Sequence, residues 1–413
     1  MGSVSKFQGI FDVRDFGACN TRNDNQIPIN EAITEATKTG KKVVIPDGEW
    51  RISDSIIIRE NVKLEGHGRG YSTIILSEPG VDAMIETEGY AGFAGSDNFW
   101  YNEVQGVPVN WSVKDMSLDG ANNANVGIRS YSKGFDIEAD IIRCQTGFVT
   151  DCGTRQIANA VGGRPVVVDL LREEVQAFIN ISITECEQPG TFQGPNDAIY
   201  QYLIVADCRQ GVRLSPGALS EIQQAHIYGI EDDGATGFIM EESGVHCGYL
   251  QVESVRGPGI QINARRFTCD TMKAFNTFRG DIGTPTDFAV SINASDVNIG
   301  ILDIDHENGE SGLQVNSNLV RVDNFSIRSD GNSVNSVGYQ VTANQGDVVL
   351  NGSANRGQSS GYGPLMGLPH GATSGRPAFA DDNQRAIFFD TSLNELIVWD
   401  GVQWNACGIS GPV

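Results

Sequence analysis

A short pattern, one small residue followed by alternating apolar and polar residues, recurs along the second half of the chain. Its clearest copies are Gly211-Val-Arg-Leu-Ser, Gly237-Phe-Ile-Met-Glu, Gly259-Ile-Gln-Ile-Asn, Ala289-Val-Ser-Ile-Asn, Gly312-Leu-Gln-Val-Asn and Gly338-Tyr-Gln-Val-Thr. Successive side chains of a strand point to opposite faces, so positions one and three after the small residue form an inward set. The pattern therefore predicts one short strand that is repeated along a solenoid.

The inward and outward sets of this repeat differ in chemistry. The two inward columns are Val212, Phe238, Ile260, Val290, Leu313 and Tyr339, then Leu214, Met240, Ile262, Ile292, Val315 and Val341. The outward fourth position holds Ser215, Glu241, Asn263, Asn293, Asn316 and Thr342. Because the first set is apolar or aromatic and the second is polar, we expect a continuous core beneath a solvated face that forms side-chain ladders.

The spacing of the copies selects the type of solenoid. Fainter copies begin at Gly127, Gly147 and Ala177, which gives an uneven step that averages about 26 residues. Helical repeats keep a stricter period, whereas a parallel β-helix places insertions at the corners of its coils. A second apolar strand precedes most copies, as in Leu203-Ile-Val and Ile301-Leu-Asp-Ile. We therefore expect an all-β chain folded as a parallel β-helix, with at least two strands in each coil.

The charge of the chain limits its partners. The formal net charge is −23 and the isoelectric point is about 4.5, which argues against binding to nucleic acid and to anionic membranes. The same charge disfavours a polyanionic substrate unless a cation bridges the two. The 49 glycines and the 40% hydrophobic content suit many short strands and tight corners.

The eight cysteines form no Cys-x-x-Cys pair and no zinc-binding spacing. Cys144 and Cys208 each precede the glycine of their coil by three residues, so we expect buried, reduced thiols inside the solenoid. The first ten residues contain no apolar core of a secretory signal, and we therefore expect a protein made in the cytoplasm without a signal peptide.

The N-terminal part combines a helix with short turns and strands. Ile29, Ile33 and Ala36 share one helical face and Gly40 is a stop signal, which predicts a helix over 28–39 that caps the solenoid. The motifs around it are Asp15-Phe-Gly-Ala18, Val43-Val-Ile-Pro-Asp-Gly-Glu-Trp-Arg-Ile52, Val62-Lys-Leu-Glu-Gly-His-Gly68 and Thr73-Ile-Ile75. This region resembles the N-terminal module of the pectate-lyase-like superfamily, which includes many bacteriophage tailspikes. The resemblance implies a right-handed parallel β-helix and leaves the activity open, because the superfamily contains lyases, hydrolases, transferases and non-enzymes.

The C-terminal part carries a second resemblance. Arg376-Pro377, Phe388-Phe-Asp-Thr391 and Trp399-Asp-Gly-Val-Gln-Trp404 predict two strands around a turn at 390–394 and a hairpin at Asp400-Gly401. Together they resemble a short module of phage tail proteins. The two resemblances imply a phage tailspike, which as a family property assembles as a homotrimer, contacts tail or baseplate proteins and resides in the virion.

These observations suggest three regions. We assign 1–14 to an N-terminal attachment segment, 15–351 to the β-helix, and 352–413 to a Gly-, Ser- and Pro-rich linker with the C-terminal β module. A Gly-rich aromatic stretch at 89–111 interrupts the period. It has two possible roles: subunit packing or folding over the solenoid, and stacking on sugars, for which Trp100 and Tyr101 are the candidates.

Paired carboxylates on neighbouring coils are the main candidates for chemistry. Neighbouring coils lie ~4.8 Å apart, so acids at equal offsets can reach the separations that glycoside hydrolysis uses. Counted back from the small residue of each coil, the catalytic candidates are Asp207 with Asp233 and Glu231 with Glu253. The candidates for substrate binding nearby are Glu241, Arg209, Arg213 and Arg256. The alternative interpretation is that these are ordinary surface acids of a strongly acidic protein.

A second group of acids lies at 303–307. Asp305 and Glu307 are second-choice catalytic residues, His306 is a possible base, and Asp303 with Asp305 offers oxygen ligands for calcium. Calcium would suit β-elimination on a uronic acid polymer. No other cofactor or metal site is indicated.

The sequence therefore predicts a tailspike that recognises host surface polysaccharide and depolymerises it by glycoside hydrolysis. The alternatives are a polysaccharide lyase or fructan-type transferase of the same fold, and a receptor-binding or structural tail protein without catalysis. We do not expect nucleic-acid binding or membrane insertion.

Overall fold

The computed structural model describes most of the chain. The described residues are 9–90, 108–151, 155–157, 166–168, 177–193, 198–214, 220–279, 287–306, 311–329, 339–341, 348–355, 370–371, 386–390, 395–399 and 404–406. Within these ranges the chain winds into a right-handed parallel β-helix built from two long sheets. The predicted fold class is confirmed.

Sheet A is the longer of the two, and every strand in it pairs in parallel with its neighbours. Strands are numbered in chain order, and those of sheet A are β1 (Ile10–Asp12), β2 (Lys42–Val44), β3 (Gly48–Ile52), β5 (Lys63–Glu65), β6 (Ser72–Leu76), β8 (Val109–Asp119), β10 (Lys133–Ile142), β14 (Ala177–Thr184), β16 (Ile199–Ala206), β18 (Glu221–Tyr228), β20 (His246–Glu253), β22 (Phe267–Phe275), β24 (Val297–His306), β26 (Val320–Ser329) and β28 (Val348–Asn355).

Sheet B contains the strands of the repeated pattern. Its strands are β4 (Ile56–Ile58), β7 (Val81–Thr87), β9 (Ala124–Ser130), β11 (Thr146–Asp151), β15 (Gln188–Gln193), β17 (Val212–Leu214), β19 (Phe238–Met240), β21 (Ile260–Ile262), β23 (Phe288–Ile292), β25 (Ser311–Val315) and β27 (Tyr339–Val341). The register joins Val212 to Phe238 and continues coil by coil to Tyr339. Both predicted inward columns are therefore confirmed as ladders, and their members from Val212 to Val315 are fully buried.

One predicted copy of the pattern is wrong. Ala177-Phe-Ile lies in β14 of sheet A, whereas the corresponding strand of sheet B is β15, in which Phe192 pairs with Leu214. Alternation of apolar and polar residues occurs in both sheets, so the pattern alone did not distinguish them. The chain between β11 and β14 includes an antiparallel hairpin of β12 (Arg155–Ile157) and β13 (Val166–Val168).

A helix is present at the predicted position as α1 (Gln26–Thr39), which begins two residues earlier than expected, and its role as a cap stays a prediction. It follows a 3-10 turn at Val13–Phe16 and contacts β1, β2 and β4, the first strands of both sheets. The helix residues Ile29, Ile33 and Ala36 are fully buried. Gly40 ends the helix at φ 67°, a left-handed conformation that glycine adopts without a Cβ penalty. The parallel sheet begins at Ile10, inside the segment that we assign to attachment, and that division of the chain stays a prediction.

A column of buried cysteines confirms the expected thiol state. Cys144, Cys186 and Cys208 are free and occupy equivalent inward positions of three consecutive coils. Hydrogen bonding to Cys186, with burial adding to it, raises the pKa of Cys144 and of Cys208. These two thiols therefore stay protonated in the core.

The aromatic stretch divides between core and undescribed residues. Trp111 is buried and stacks on Phe135, with ring centroids 5.2 Å apart and planes inclined by 16°. This tryptophan belongs to the core, so neither predicted surface role applies to it. Trp100 and Tyr101 lie outside the described residues, and their predicted role is untested.

The outward face of sheet B carries the expected side-chain ladder. Asn293 Nδ2 donates to Asn263 Oδ1 at 2.9 Å, and Asn316 Nδ2 donates to Asn293 Oδ1 at 2.8 Å. Arrays of this kind tie successive coils together from outside the core.

Asn293→Ala removes both ladder bonds of the central asparagine. Because the ladder is exposed, we expect the free energy of unfolding to fall by only about 1 kcal/mol. Urea denaturation measures this change. Asn298→Ala is the matched control, since Asn298 is exposed on β24 and has no side-chain hydrogen bond to the described residues. An equal loss in both variants would contradict a stabilising ladder.

The C-terminal strands form a separate small sheet. It consists of β29 (His370–Gly371), β30 (Ala386–Asp390), β31 (Glu395–Trp399) and β32 (Trp404–Ala406). Strands β30, β31 and β32 pair in antiparallel fashion, as the two predicted turns require. None of the helices in the described part of the chain is long and apolar enough to cross a bilayer.

Candidate functional site

The outward face of sheet A brings polar and aromatic side chains of five consecutive coils into two rows. The first row runs through His226, Gln251, Lys273, Asp303 and Ser326. The second row runs through Tyr228, Glu253, Phe275, Asp305 and Arg328. We call these two rows, together with Tyr249, the outer cluster. The strands fix the spacing within each row at ~4.8 Å per step.

Glu253 is the most extensively bonded carboxylate of the outer cluster. Its Oε1 lies 3.1 Å from His226 Nε2, and its Oε2 accepts from Gln251 Nε2 at 2.9 Å. The ring of His226 in turn lies 4.9 Å from the ring of Tyr228, and Tyr249 donates its hydroxyl to Gln251. The Glu253 side chain is 34% exposed, so it is held in place and still open to solvent.

Asp303 and Asp305 face a single arginine on the next coil. Arg328 Nη2 lies 3.3 Å from Asp303 Oδ1 and 3.8 Å from Asp305 Oδ2. The guanidinium carries one positive charge and therefore offsets only one of the two negative charges. A calcium ion at this pair would first have to displace Arg328. In the described residues, no group of three or more His, Cys, Asp or Glu side chains is arranged to hold a metal ion.

Glu253 and Asp305 lie in the same row, two coils apart, with Phe275 between them. Two strand spacings separate their Cα atoms by ~9.6 Å. Carboxyl groups ~6.5–9.5 Å apart suit inverting glycoside hydrolysis, because a water molecule fits between one carboxylate and the sugar. Lys273, on the strand between them, has its Nζ 5.5 Å from the centroid of the Tyr249 ring. The face therefore offers two acids, a cation and aromatic surface in one place.

The equal-offset pairing predicted from the sequence is wrong. Asp207 lies at the corner after β16 with φ 52°, and its register partner on the next coil is Gly229 rather than Asp233. Glu253 pairs with Tyr228 rather than Glu231. The corner after β16 takes five residues and that after β18 takes nine, so an offset counted back from the following strand does not keep register. The catalytic role of Asp207, Asp233 and Glu231 remains a prediction.

The other candidates on these coils are engaged in ion pairs at corners or on sheet B. The pairs are Arg209 Nε with Asp232 Oδ1 at 3.0 Å, Arg256 Nε with Asp233 Oδ1 at 2.6 Å, and Arg213 Nη1 with Glu241 Oε1 at 3.2 Å. None of these three ion pairs includes a residue of the outer cluster. Glu307 lies outside the described residues, as does the side chain of His306.

Several residues of the outer cluster were missed by sequence reasoning: His226, Gln251, Lys273 and Arg328. Each is an outward residue of a sheet A strand, and outward residues are commonly polar, so no local signal marks them. Counting register along the strands that precede the repeat would have aligned them with Glu253 and Asp305.

A further acid lies on the same face, several coils towards the N terminus. Asp140 of β10 is half-buried, 3.4 Å from Arg69 Nη1. Burial raises the pKa of the Asp140 carboxyl, and Arg69 with the Ser117 hydroxyl offsets part of that rise. Arg69 also donates to the backbone oxygen of Asn180 at 2.6 Å, which ties the 66–71 turn to β14.

Comparison with solved structures agrees with the fold. The chain is similar to full-length tailspike protein 2 from Escherichia coli O157:H7 bacteriophage CAB120, with a TM-score of 0.51, 13% identity, and coverage of 77% of this chain and 42% of that chain. It is similar to the enzymatically active domain of bacteriophage CBA120 tailspike protein 2, with a TM-score of 0.51, 13% identity, and coverage of 78% and 48%. It is also similar to the A-module of the Azotobacter vinelandii mannuronan C-5 epimerase AlgE4, with a TM-score of 0.43, 13% identity, and coverage of 85% and 100%.

The chain spans less than half the length of both tailspike structures, and at this identity the likeness shows the fold alone. No curated protein matches the sequence. A sequence-family comparison is more specific, because the family described as rhamnogalacturonase A/epimerase, pectate lyase-like matches residues 10–236. That match spans more than half of the 413 residues, and the protein belongs to the rhamnogalacturonase A/epimerase, pectate lyase-like family.

Proposed function

We propose that the protein is a bacteriophage tailspike that binds host surface polysaccharide and cleaves it by glycoside hydrolysis at the outer cluster. The observation that carries the proposal is that Glu253 and Asp305 lie in one outward row with their Cα atoms ~9.6 Å apart, close to the upper end of the carboxyl separations that inverting enzymes use. Family membership and the phage tail-type C-terminal module support a polysaccharide-acting tail protein.

In the proposed reaction Glu253 is the general acid and Asp305 the general base. Glu253 gives its proton to the glycosidic oxygen as the bond from that oxygen to the anomeric carbon breaks. Asp305 accepts a proton from the water whose oxygen forms the new bond to that carbon. Arg328 lies 3.8 Å from Asp305 Oδ2 and would hold that carboxylate in place, and Gln251 with His226 orients Glu253. The rings of Tyr228 and Phe275 provide apolar surface for sugar faces.

The assembly follows the tailspike resemblance. We propose a homotrimer in the virion tail, with residues 1–14 contacting tail or baseplate proteins and 352–413 serving as a linker and C-terminal module. Arg209, Arg213, Glu241 and Arg256 remain candidates for contacts with the glycan.

A polysaccharide lyase is the second candidate, favoured by one observation. Lys273 lies on the strand between those of Glu253 and Asp305, where a lysine could abstract a proton next to a uronic acid carboxylate.

Product analysis distinguishes these functions. Purified protein incubated with capsule or lipopolysaccharide of the host is expected to yield shorter chains with new reducing ends of inverted anomeric configuration, seen by NMR. Products that absorb in the ultraviolet because of an unsaturated sugar would contradict hydrolysis in favour of the lyase. Binding without any shortening would contradict catalysis altogether.

A further inference from the structure

A concave surface lies on the outward face of sheet A, over its first strands. It is a groove of about 420 Å³ lined by residues of β2, β5, β8, β10 and β14. Its polar and apolar lining includes Lys42, Lys63, Lys114, Asp136 and Phe178. The volume is in the range of small-ligand sites. None of these residues takes part in the proposed cleavage.

The groove concentrates cations in a chain that has few of them. The whole chain has 29 basic and 52 acidic residues, yet three adjacent strands each contribute a lysine here. Lys42 pairs with Glu65 at 2.6 Å, and Lys114 pairs with Asp136. Lys63 is exposed and has no carboxylate partner among the described residues. The lining thus has three lysines against two carboxylates, a net charge of +1, and screening over about 8 Å at physiological salt weakens the effect of acids farther away.

Apolar surface lies beside these cations. Phe178 is 37% exposed although it is a large hydrophobic side chain on a sheet. Its row leads back through Asp136 and Ser112 to Lys63, which places the phenylalanine and the free lysine three strands, or about 14 Å, apart. Beneath them Trp111 and Phe135 form the stacked, buried pair described above, which makes a rigid floor. Phe178 offers a ring to a sugar face, and Lys63 offers a charge to an anionic substituent.

We propose that this groove is a non-catalytic glycan-binding site that takes an anionic oligosaccharide, with a carboxylate or phosphate of one unit on Lys63 and the apolar face of another unit on Phe178. The inference rests on the proposed function, since it concerns the same polysaccharide. The groove and the outer cluster lie on one face, with β5 and β20 six strand steps or about 29 Å apart. One extended chain can therefore contact both, and the groove would retain the polymer between cleavage events. This local site qualifies the expectation that the acidic chain excludes anionic substrates.

Calorimetric titration of the full chain tests the site without requiring cleavage. The probes are a six-unit oligogalacturonate, neutral maltohexaose of the same length, and glucose 1-phosphate, which separates carboxylate from phosphate recognition. We expect an anionic probe to bind more tightly than maltohexaose and to weaken as salt rises. Lys63→Gln and Phe178→Ala should each lower that affinity about tenfold, whereas Lys63→Arg should retain it. Lys38→Gln on the helix is the control for loss of one exposed positive charge.

Three results would overturn the proposal. The first is equal binding of neutral and anionic probes, and the second is unchanged affinity in both Lys63→Gln and Phe178→Ala. The third is an altered oligomeric state of either variant in light scattering, which would show that the groove is a contact between copies of the chain. The cleavage assay reports separately on the proposed function. If the groove proposal alone fails, the protein still cleaves polysaccharide, but the Lys63→Gln and Phe178→Ala variants bind the anionic probe as tightly as the wild type. If the hydrolysis proposal alone fails, cleavage is absent and the anionic probe still binds.

Discussion

Glu253→Gln is expected to lower polysaccharide cleavage by about 10³-fold while leaving the melting temperature and the oligomeric state unchanged. The amide has nearly the same shape as the carboxyl group but cannot donate a proton to the leaving oxygen. Its carbonyl oxygen can still accept from Gln251 Nε2, so the bond that now measures 2.9 Å is retained. Release of reducing ends from host polysaccharide measures the loss, and circular dichroism checks the fold.

Asp233→Asn is the matched control for this variant. It also exchanges a carboxylate for an amide, but the Asp233 side chain is 69% exposed at a corner and pairs with Arg256. We expect its activity to stay within about threefold of the wild type, as for most surface changes. A large loss in Asp233→Asn with normal cleavage by Glu253→Gln would support the sequence-based site instead. If only Asp140→Asn lost cleavage, the catalytic site would lie around Asp140, towards the N-terminal coils.

The architecture was predictable because apolar residues recur in the sequence at the positions that are buried in each coil. One face of each sheet B strand contacts the core, so apolar residues such as Phe238, Ile260 and Val290 occupy the same position of successive copies. Residues close together in the sequence also indicate the helix, through Ile29, Ile33 and Ala36, and the C-terminal hairpins. Each depends on neighbours within a few residues, and for that reason each was visible without any structure.

The candidate site was only partly predictable because it depends on register between coils. Glu253 and Asp305 were both identified, but in different groups, and their alignment follows from the pairing of β20, β22 and β24. Corner length sets that alignment, and corners tolerate insertions at little energetic cost. Apolar alternation in Leu250–Glu253 shows that Gln251 and Glu253 point outward, but it does not show which residue of the neighbouring strand each of them faces, such as His226.

Close approach of the backbone of the next coil explains why each copy of the repeat begins with a small residue, and Gly211→Ala tests this explanation. A Cβ added at Gly211 would lie 2.0 Å from the backbone oxygen of Thr236 and 2.3 Å from that of Gly237. These oxygens cannot move aside freely, since Gly237 O accepts from Val212 N at 2.9 Å and Gly237 N donates to Pro258 O at 2.9 Å. We expect the methyl group to push two coils apart and to lower the free energy of unfolding by about 2–3 kcal/mol. Urea denaturation of purified protein measures this loss.

Ala289→Gly provides the control, because Ala289 begins another copy of the pattern and already accommodates a buried Cβ. Removing that methyl group loses a small buried contact and adds backbone freedom to the unfolded chain, which together cost about 1 kcal/mol. The larger loss should therefore come from adding a methyl group at Gly211 and the smaller from deleting one at Ala289. If Gly211→Ala were as stable as the wild type, the coils at this corner would be farther apart than the β17–β19 register requires. Glycine there would then reflect turn preference rather than close packing of the backbone.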